Sequence, residues 1–435
     1  MHVTEIQLRQ LSEDRLQTEE RKTAVRHLLS GCRWCLDLAQ RVLYPELGSR
    51  PDYSGVLRRL ELGLVLAIND VEVERGVAHA LWDGYLSALE PGARRTAIRN
   101  NPDLQSWGTF ELLLTEAKRI TLERPVDAVD LAYAALAVAD LLDPQAYGEE
   151  RIQDLRAGAW AALGNAKRMA GDFSGAGEAL RAAAEWVDLG TGDPYEEANV
   201  LSMTASLLTD LGDFKKAIDV LDDAAALVRS VRDRSLEGRL RIKQSSSIGW
   251  EDPARGLRLA ERGLKLLRRA KSEDRYAELA GRHLTALWAN ELGDCEEARA
   301  TLETYRHLYA AYPDPPTHGR LLLLDALISR SEGRLEASER LLRRLVDHYS
   351  EHGMAFDLTL ATLEWAEALV LRGGYGEATD VLREAYPLIE QWGAHIDILR
   401  AWKLVEEAVR QRVVRHEAFR EVAMTVRRRW GRREA

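Results

Sequence analysis

The stretch His27-Leu28-Leu29-Ser30-Gly31-Cys32-Arg33-Trp34-Cys35 sets an imidazole and two thiols within nine residues. Thiolate and imidazole are zinc's preferred donors, and a structural zinc wants four of them in a tetrahedron. A helix ending near Gly31 would present His27 toward a Cys-x-x-Cys turn, with His2, Glu19, Glu20 and Asp37 as candidates for the fourth ligand. The same residues admit two other readings. In a reducing compartment a Cys-x-x-Cys is also a candidate redox pair, and Cys32, Cys35 and Trp34 could simply pack together in a small core. The third cysteine, Cys295, follows a turn and is expected to pack as a small apolar residue. Three cysteines make no disulfide scaffold.

Other reactive groups are scattered. No Gly-rich phosphate loop, G-x-S-x-G, H-E-x-x-H or EF-hand loop occurs. His348 and His352 share a helix face with Asp347 or Glu351 nearby, but a solvated helix end before Gly353 explains them more simply. A non-enzymatic protein is therefore expected.

Length and composition bound the rest. The 435 residues are 46% hydrophobic and 30% charged, which describes a well-folded chain and not a disordered one. No apolar run reaches membrane-spanning length, because even Leu60–Ile68 is broken by Glu61 and Gly63. The segment Met1-His2-Val3-Thr4-Glu5-Ile6 lacks the basic-then-apolar order of a signal peptide, so a cytoplasmic location is expected. The net charge of −10 argues against coating of nucleic acid. Lys403–Ala435 runs the other way, with ten Lys/Arg against five Asp/Glu. A solvated last helix with cations at its C-terminal end accounts for that run, and an acidic partner or nucleic acid is the alternative.

What positions any site is a repeat. Gly171-Asp172, Gly212-Asp213, Gly293-Asp294, Gly333-Arg334 and Gly373-Gly374 recur with a small residue five positions after each first glycine, and Glu251-Asp252-Pro253 fills the gap. The steps are 41, 39, 42, 40 and 40 residues. Such a period means stacked helix pairs, each unable to bury its apolar face alone. The glycine allows a positive-φ end to the first helix. The aspartate after it is placed to cap the second. An earlier copy is suggested at Glu123-Arg124-Pro125.

The copy beginning at Trp160 carries Leu163, Gly164, Ala176, Leu180 and Ala183, and so resembles the tetratricopeptide pattern W-x2-LG-x2-Y…A-x3-F-x2-A, with Lys167 at the Tyr position and Leu180 at the Phe position. The resemblance covers about 110–404 and implies an all-α, right-handed solenoid of stacked helix pairs. Its period exceeds the family's usual 34 residues, through longer helices or longer connections such as Leu189–Pro194. Around it the expected organisation is a small helical segment at 1–50, a helical linker at 51–109, and a C-terminal helix with a basic tail at 405–435. The His27, Cys32 and Cys35 segment resembles the H-x3-C-x2-C motif of the zinc-binding anti-sigma family with one extra residue, and this implies zinc.

In the tetratricopeptide family the first helix of each pair lines a concave groove. The resemblance places Asn165, Arg168, Asn199, Ser202, Ser206, Arg241, Ser245 and Asn290 there, with a protein or peptide as partner. The function implied is an adaptor or regulator, and the alternative is a zinc- or redox-responsive regulator. Of the 11 Trp, most fall in helical stripes and are expected in the core; Trp250, after Gln244-Ser245-Ser246-Ser247-Ile248-Gly249, marks the least helix-favouring stretch and so a kink or an exposed contact. Whether the last helix caps the solenoid or forms a dimer contact is left open by its mixed polarity.

Overall fold

A computed structural model describes residues 2–13, 15–29, 32–43 and 71–430. The first part of the helical linker expected at 51–109, up to residue 70, lies outside the described residues. Residues 1–70 and 71–435 form two compact units.

In the first unit, α1 (Glu5–Ser12), α2 (Thr18–Leu29) and α3 (Arg33–Leu43) surround a small core of Val3, Leu8, Leu16, Ala24 and Cys35. Thr4 starts α1 as a reciprocal cap with Gln7, satisfying two backbone donors that the helix end would leave bare. A core of this size is marginal on its own, since short chains bury too small a share of their surface.

The second unit opens with α4 (helical over 71–84) and α5 (Ala93–Asn100). It continues with α6 (Trp107–Ile120), α7 (Pro125–Ala139), the single turn α8 (Pro144–Tyr147), α9 (Glu149–Met169), α10 (Phe173–Leu189), α11 (Pro194–Asp210) and α12 (Phe214–Ser230). Then follow α13 (Arg234–Ile248), α14 (Pro253–Ala270), α15 (Arg275–Glu291), α16 (Cys295–Ala310), α17 (Pro315–Ser331) and α18 (Leu335–Glu351). The unit ends with α19 (Ala355–Leu371), α20 (Tyr375–Gln391), α21 (Ile396–Arg410) and α22 (His416–Arg429). No strand occurs among the described residues. The fold is an all-α solenoid of consecutive helix pairs.

Its long period comes from the helices, since α11, α12, α15 and α17 to α20 are each 17 residues and their connectors are short. The turns are built as their residues require. Gly171 has φ +81°, and the Asp172 side chain accepts from the Gly175 N–H at 2.8 Å. Asp213, Asp252 and Asp294 cap α12, α14 and α16 in the same way. Asp172→Ala is expected to cost about 1 kcal/mol, the usual value of an N-cap, read as a shift in the urea midpoint with unchanged slope.

Close helix crossings use glycine where a methyl would collide. A Cβ on Gly164 would lie 2.7 Å from Leu180 Cγ, and one on Gly263 would lie 2.7 Å from the Gly238 carbonyl oxygen. The first contact explains why Gly164 and Leu180 go together in that repeat.

The Ser-rich stretch is not a kink. α13 continues through Ser245 to Ile248, because Ser245 and Gly249 make room for Trp288. That indole is fully buried, and its Nε1–H donates to Ser245 Oγ at 3.0 Å, which donates in turn to the Gly256 carbonyl at 2.7 Å. Trp250 is 47% exposed and stands edge-on to Trp288 with ring centroids 5.4 Å apart.

α22 does not extend the stack outward. Its apolar residues Phe419, Val422 and Val426, with Trp430 just beyond, share one core with Phe173, Leu180 and Leu207 from early pairs and with Leu363, Leu382 and Trp402 from late ones. The last helix therefore packs in one core with α9–α11 on one side and α19–α21 on the other.

Candidate functional site

Two sites stand out, one in each unit. In the first, His2, His27, Cys32 and Cys35 bring four donor atoms within 4.8 Å of one another. His2 Nδ1 lies 3.4 Å from each sulfur. Ligand atoms of a tetrahedral zinc with bonds of roughly 2.0–2.3 Å stand about 3.3–3.8 Å apart, so the donor types and the His2–sulfur distances fit that ion. The Val3 N–H points at the Cys35 sulfur at 3.3 Å, the kind of outer hydrogen bond that supports a thiolate ligand. Cys35 is buried and Cys32 half-buried, and no disulfide joins them.

His2 is thus the candidate that the fold brings to the three residues of the motif. Glu20 is exposed, and the side chains of Glu19 and Asp37 lie outside the described residues. The imidazole of His2 packs edge-on to that of His27, with centroids 5.4 Å apart, and 5.3 Å from the Trp34 ring.

In the second unit the first helices of successive pairs, α9, α11 and α13, lie side by side, and polar groups run across them. Arg168 donates to Asp210 at 2.5 Å and, through Nε and Nη2, to Asn165 at 3.2 and 2.9 Å. Lys243 donates to Ser202 Oγ at 2.7 Å, to the Ser202 carbonyl at 3.2 Å and to Ser206 Oγ at 3.1 Å. The Thr209 and Ser247 hydroxyls meet at 2.7 Å. Asn165, Arg168, Ser202 and Ser206 are therefore parts of one polar track, and Asn199 is half-buried on α11.

Three other expected groove residues are placed differently. Ser245 is fully buried under Trp288, so its hydroxyl serves the core. Arg241 is buried and donates to Gln244 at 2.7 Å, with Asp222 at 3.5 Å and Glu237 at 3.6 Å. Asn290 is buried too, and its amide oxygen has no hydrogen-bond partner among the described residues. Arg241 and Ser245 are four apart on α13, with Arg241 facing Asp222 of α12 and Ser245 facing α14. Lys243, two residues from each, lies on the opposite face and reaches back to α11.

Burial, helped by Arg168 and Arg239, pushes the Lys243 ammonium down from 10.5 to about 7, with Asp210 pulling the other way. Between these values the unfolded chain binds more protons than the folded one, so stability should rise with pH from about 7 to 10.5. Urea midpoints of the wild type and Lys243→Met, measured across that window, check the sign. The wild type should gain on the variant as pH rises.

Where this track meets the turn between α18 and α19, a cavity of about 620 Å³ opens. Its walls include Arg168 and Asp210, Arg320 of α17, Tyr349, Phe356 and Asp357, and Trp392 and Trp430. Phe356 stands edge-on to both Phe173 and Trp430, at 5.1 and 5.6 Å. Asp357 has no ion-pair partner within 4 Å among the described residues. Burial, together with Asp210, pushes its carboxyl up to about 6, against the pull of Arg320, Arg427 and Arg168. Arg320 donates to the Tyr276 hydroxyl at 2.9 Å. Asp357 and Arg320 had no signal in the sequence, because their meeting in one cavity depends on the packing of helices far apart in the chain, and Lys243 had none because its burial depends on its contacts with α11.

Among the described residues His348 and His352 belong to no cluster of metal-ligating side chains. His348 Nε2 lies 2.9 Å from the Pro315 carbonyl and His352 Nδ1 lies 2.8 Å from that of His348, so one nitrogen of each ring has a backbone partner.

A crystal structure of a Rap protein complexed with Competence and Sporulation Factor superposes on this chain with a TM-score of 0.51. The fold is Rap-like. The match covers 82% of this chain and 99% of that one, at 14% sequence identity. Aspartyl phosphate phosphatase F from Bacillus subtilis aligns over 73% of this chain and 83% of its own, at 15% identity and a TM-score of 0.42. No protein-family model matches the sequence, and no curated protein does. What the Rap-like comparison supports is the helical-repeat architecture. Among the described residues, no helix is long and apolar enough to cross a membrane.

Proposed function

We propose that the chain is a non-enzymatic adaptor or regulator that captures a protein or peptide on the inner face of its solenoid. The observation that carries this reading is the cavity of about 620 Å³, where aromatic walls surround charges of both signs. Among the described residues Asp357 offers a carboxylate with no ion-pair partner within 4 Å, and Arg320 a guanidinium that donates to the Tyr276 hydroxyl. A peptide, with its own charges of both signs and apolar side chains, fits such a lining. The Rap protein of similar fold was crystallised with Competence and Sporulation Factor, and a binding role is the corresponding proposal for this chain.

The test is capture of partners by the intact protein, identified by mass spectrometry and repeated with Asp357→Lys and Arg320→Glu. Loss of a partner from both variants, at unchanged thermal stability, is the expected result. A partner set that both variants retain in full would sink the reading. Binding should also follow pH. Asp357 is neutral below about 6 and charged above it, so a cationic partner group should bind more tightly as pH rises through 6. Asp357→Asn should flatten that profile.

A second reading is favoured by the His2, His27, Cys32 and Cys35 cluster, namely that the small helical unit holds zinc and makes the protein a zinc- or redox-responsive regulator. Elemental analysis of untagged protein purified without chelator should find one zinc per chain, absent from a Cys32→Ser, Cys35→Ser variant. Metal-free wild-type protein would reduce the cluster to packing.

A further inference from the structure

α22 lies against the intra-pair ends of four successive helix pairs. A Cβ on Gly171, in the α9–α10 turn, would come 4.0 Å from Trp430 Nε1, and one on Gly212, in the α11–α12 turn, 3.2 Å from Met424 Cε. Arg427 stacks over Trp250 of the α13–α14 turn at 5.4 Å. Arg420 pairs with Glu291 at the end of α15 at 3.5 Å. From the other side, α19 supplies Phe356, 5.6 Å from the Trp430 ring, and Glu367, which pairs with His416. Asp397 of α21 takes Arg429 at 3.1 Å.

These contacts have a consistent chemistry. The helix presents Phe419, Val422, Val426 and Trp430 to an apolar floor and cations to an acidic rim. Its charged residues are Arg420, Arg427, Arg428 and Arg429 against Glu417 and Glu421, while the groove answers with Glu291, Glu367 and Asp397. That is helix-in-groove recognition, in which apolar residues three and four apart supply affinity and the charges supply specificity. The segment that ties the helix to α21 is short and exposed at Gln411, Arg412, Val413 and Arg415. A covalently tethered helix competes at an effective concentration on the order of millimolar, so it holds a groove that a free ligand must win.

We propose that α22 is a resident, exchangeable occupant of a groove that receives a cationic amphipathic helix from a partner protein. The proposal rests on the inner-face binding reading above and names the chemistry of the partner. The bound partner replaces α22 and releases it, together with Trp430, from the wall of the adjoining cavity.

The experiment keeps the whole chain. A protease site is placed in the 411–415 segment, the folded protein is cut, and a fluorescent peptide of residues 412–430 is added. The expected result is saturable binding to the cut protein, with release of unlabelled α22 and an unchanged helical signal. Uncut protein should bind at least about 100-fold more weakly, because its own helix is tethered. A peptide carrying Arg420→Glu and Arg429→Glu, the two arginines paired with Glu291 and Asp397, should bind at least about 10-fold more weakly than the native peptide, as expected when close charge pairs are reversed.

Three outcomes would overturn the proposal. One is a cut α22 that never exchanges, and another is an array that unfolds once the helix leaves; either makes α22 a structural element. The third is a doubling of mass after cutting, which would make the occupant a second copy of this chain. None of these touches the capture test at Asp357 and Arg320, so the two readings can fail separately. An uncut Phe419→Asp variant, in which the helix is loosened without cleavage, should bind the native peptide more tightly than the wild type does.

Discussion

With the proposed zinc bound at His2, His27, Cys32 and Cys35, its removal from the intact protein should unfold α1, α2 and α3 and leave the repeat array folded. The reason is the size of the first core. Val3, Leu8, Leu16, Ala24 and Cys35 are its buried apolar residues, and a unit this small has little hydrophobic stabilisation to set against the entropy of ordering its chain. Structural zinc contributes about 10–16 kcal/mol of apparent binding free energy in small domains, far more than such a core supplies. Hydrogen exchange with and without a chelator reads the result locally. Amides of α1, α2 and α3 should lose protection, while those of α6 to α21 keep theirs. Cys35→Ser should behave like chelation. His2→Ala should leave three protein ligands and let water take the fourth position, which turns a closed site into an open one with weaker affinity. Unchanged protection of α1 to α3 after complete metal removal would show that packing alone holds the unit.

The parts legible in the sequence were those set by neighbours along the chain. Gly171 and Asp172 announce a turn and a cap because positive φ and N-capping are demands on single residues. His27, Cys32 and Cys35 mark a candidate cluster because their donor types and spacing are local. His2 lies 25 residues before His27, and only the packing of α1 against α3 through Leu8 and Cys35 brings it to the thiols. The groove was harder for the same reason. A register copied from the tetratricopeptide pattern put Arg168, Ser202 and Ser206, which share a polar track across α9, α11 and α13, in the groove together with Ser245, which is buried and holds Trp288. Polar residues on a helix do not reveal which face the next helix will cover. The position of α22 had no local signal at all, since it depends on packing against helices far apart in the chain.

That misread serine leads to the larger structural prediction. Trp288→Ala should destabilise the centre of the array by about 3–5 kcal/mol, the usual cost of deleting a large buried aromatic side chain. The indole fills the crossing of α13, α14 and α15, and its removal also leaves Ser245 Oγ without the donor it now accepts from. The converse substitution is as informative. A Cβ on Gly249 would sit 2.2 Å from Trp288 Cε2, far inside contact distance, and one on Gly256 would sit 3.0 Å from Trp288 Nε1. Gly249→Ala should therefore cost about 1–3 kcal/mol through overpacking. In the Trp288→Ala background the same methyl enters a vacated space, so its penalty should largely disappear. Urea midpoints of the two single variants and the double variant form a cycle, and strong non-additivity is the expected result. Additive costs would mean that Gly249 is small for a reason other than this indole, and the account of the Ser-rich stretch as a seat for Trp288 would fall with it.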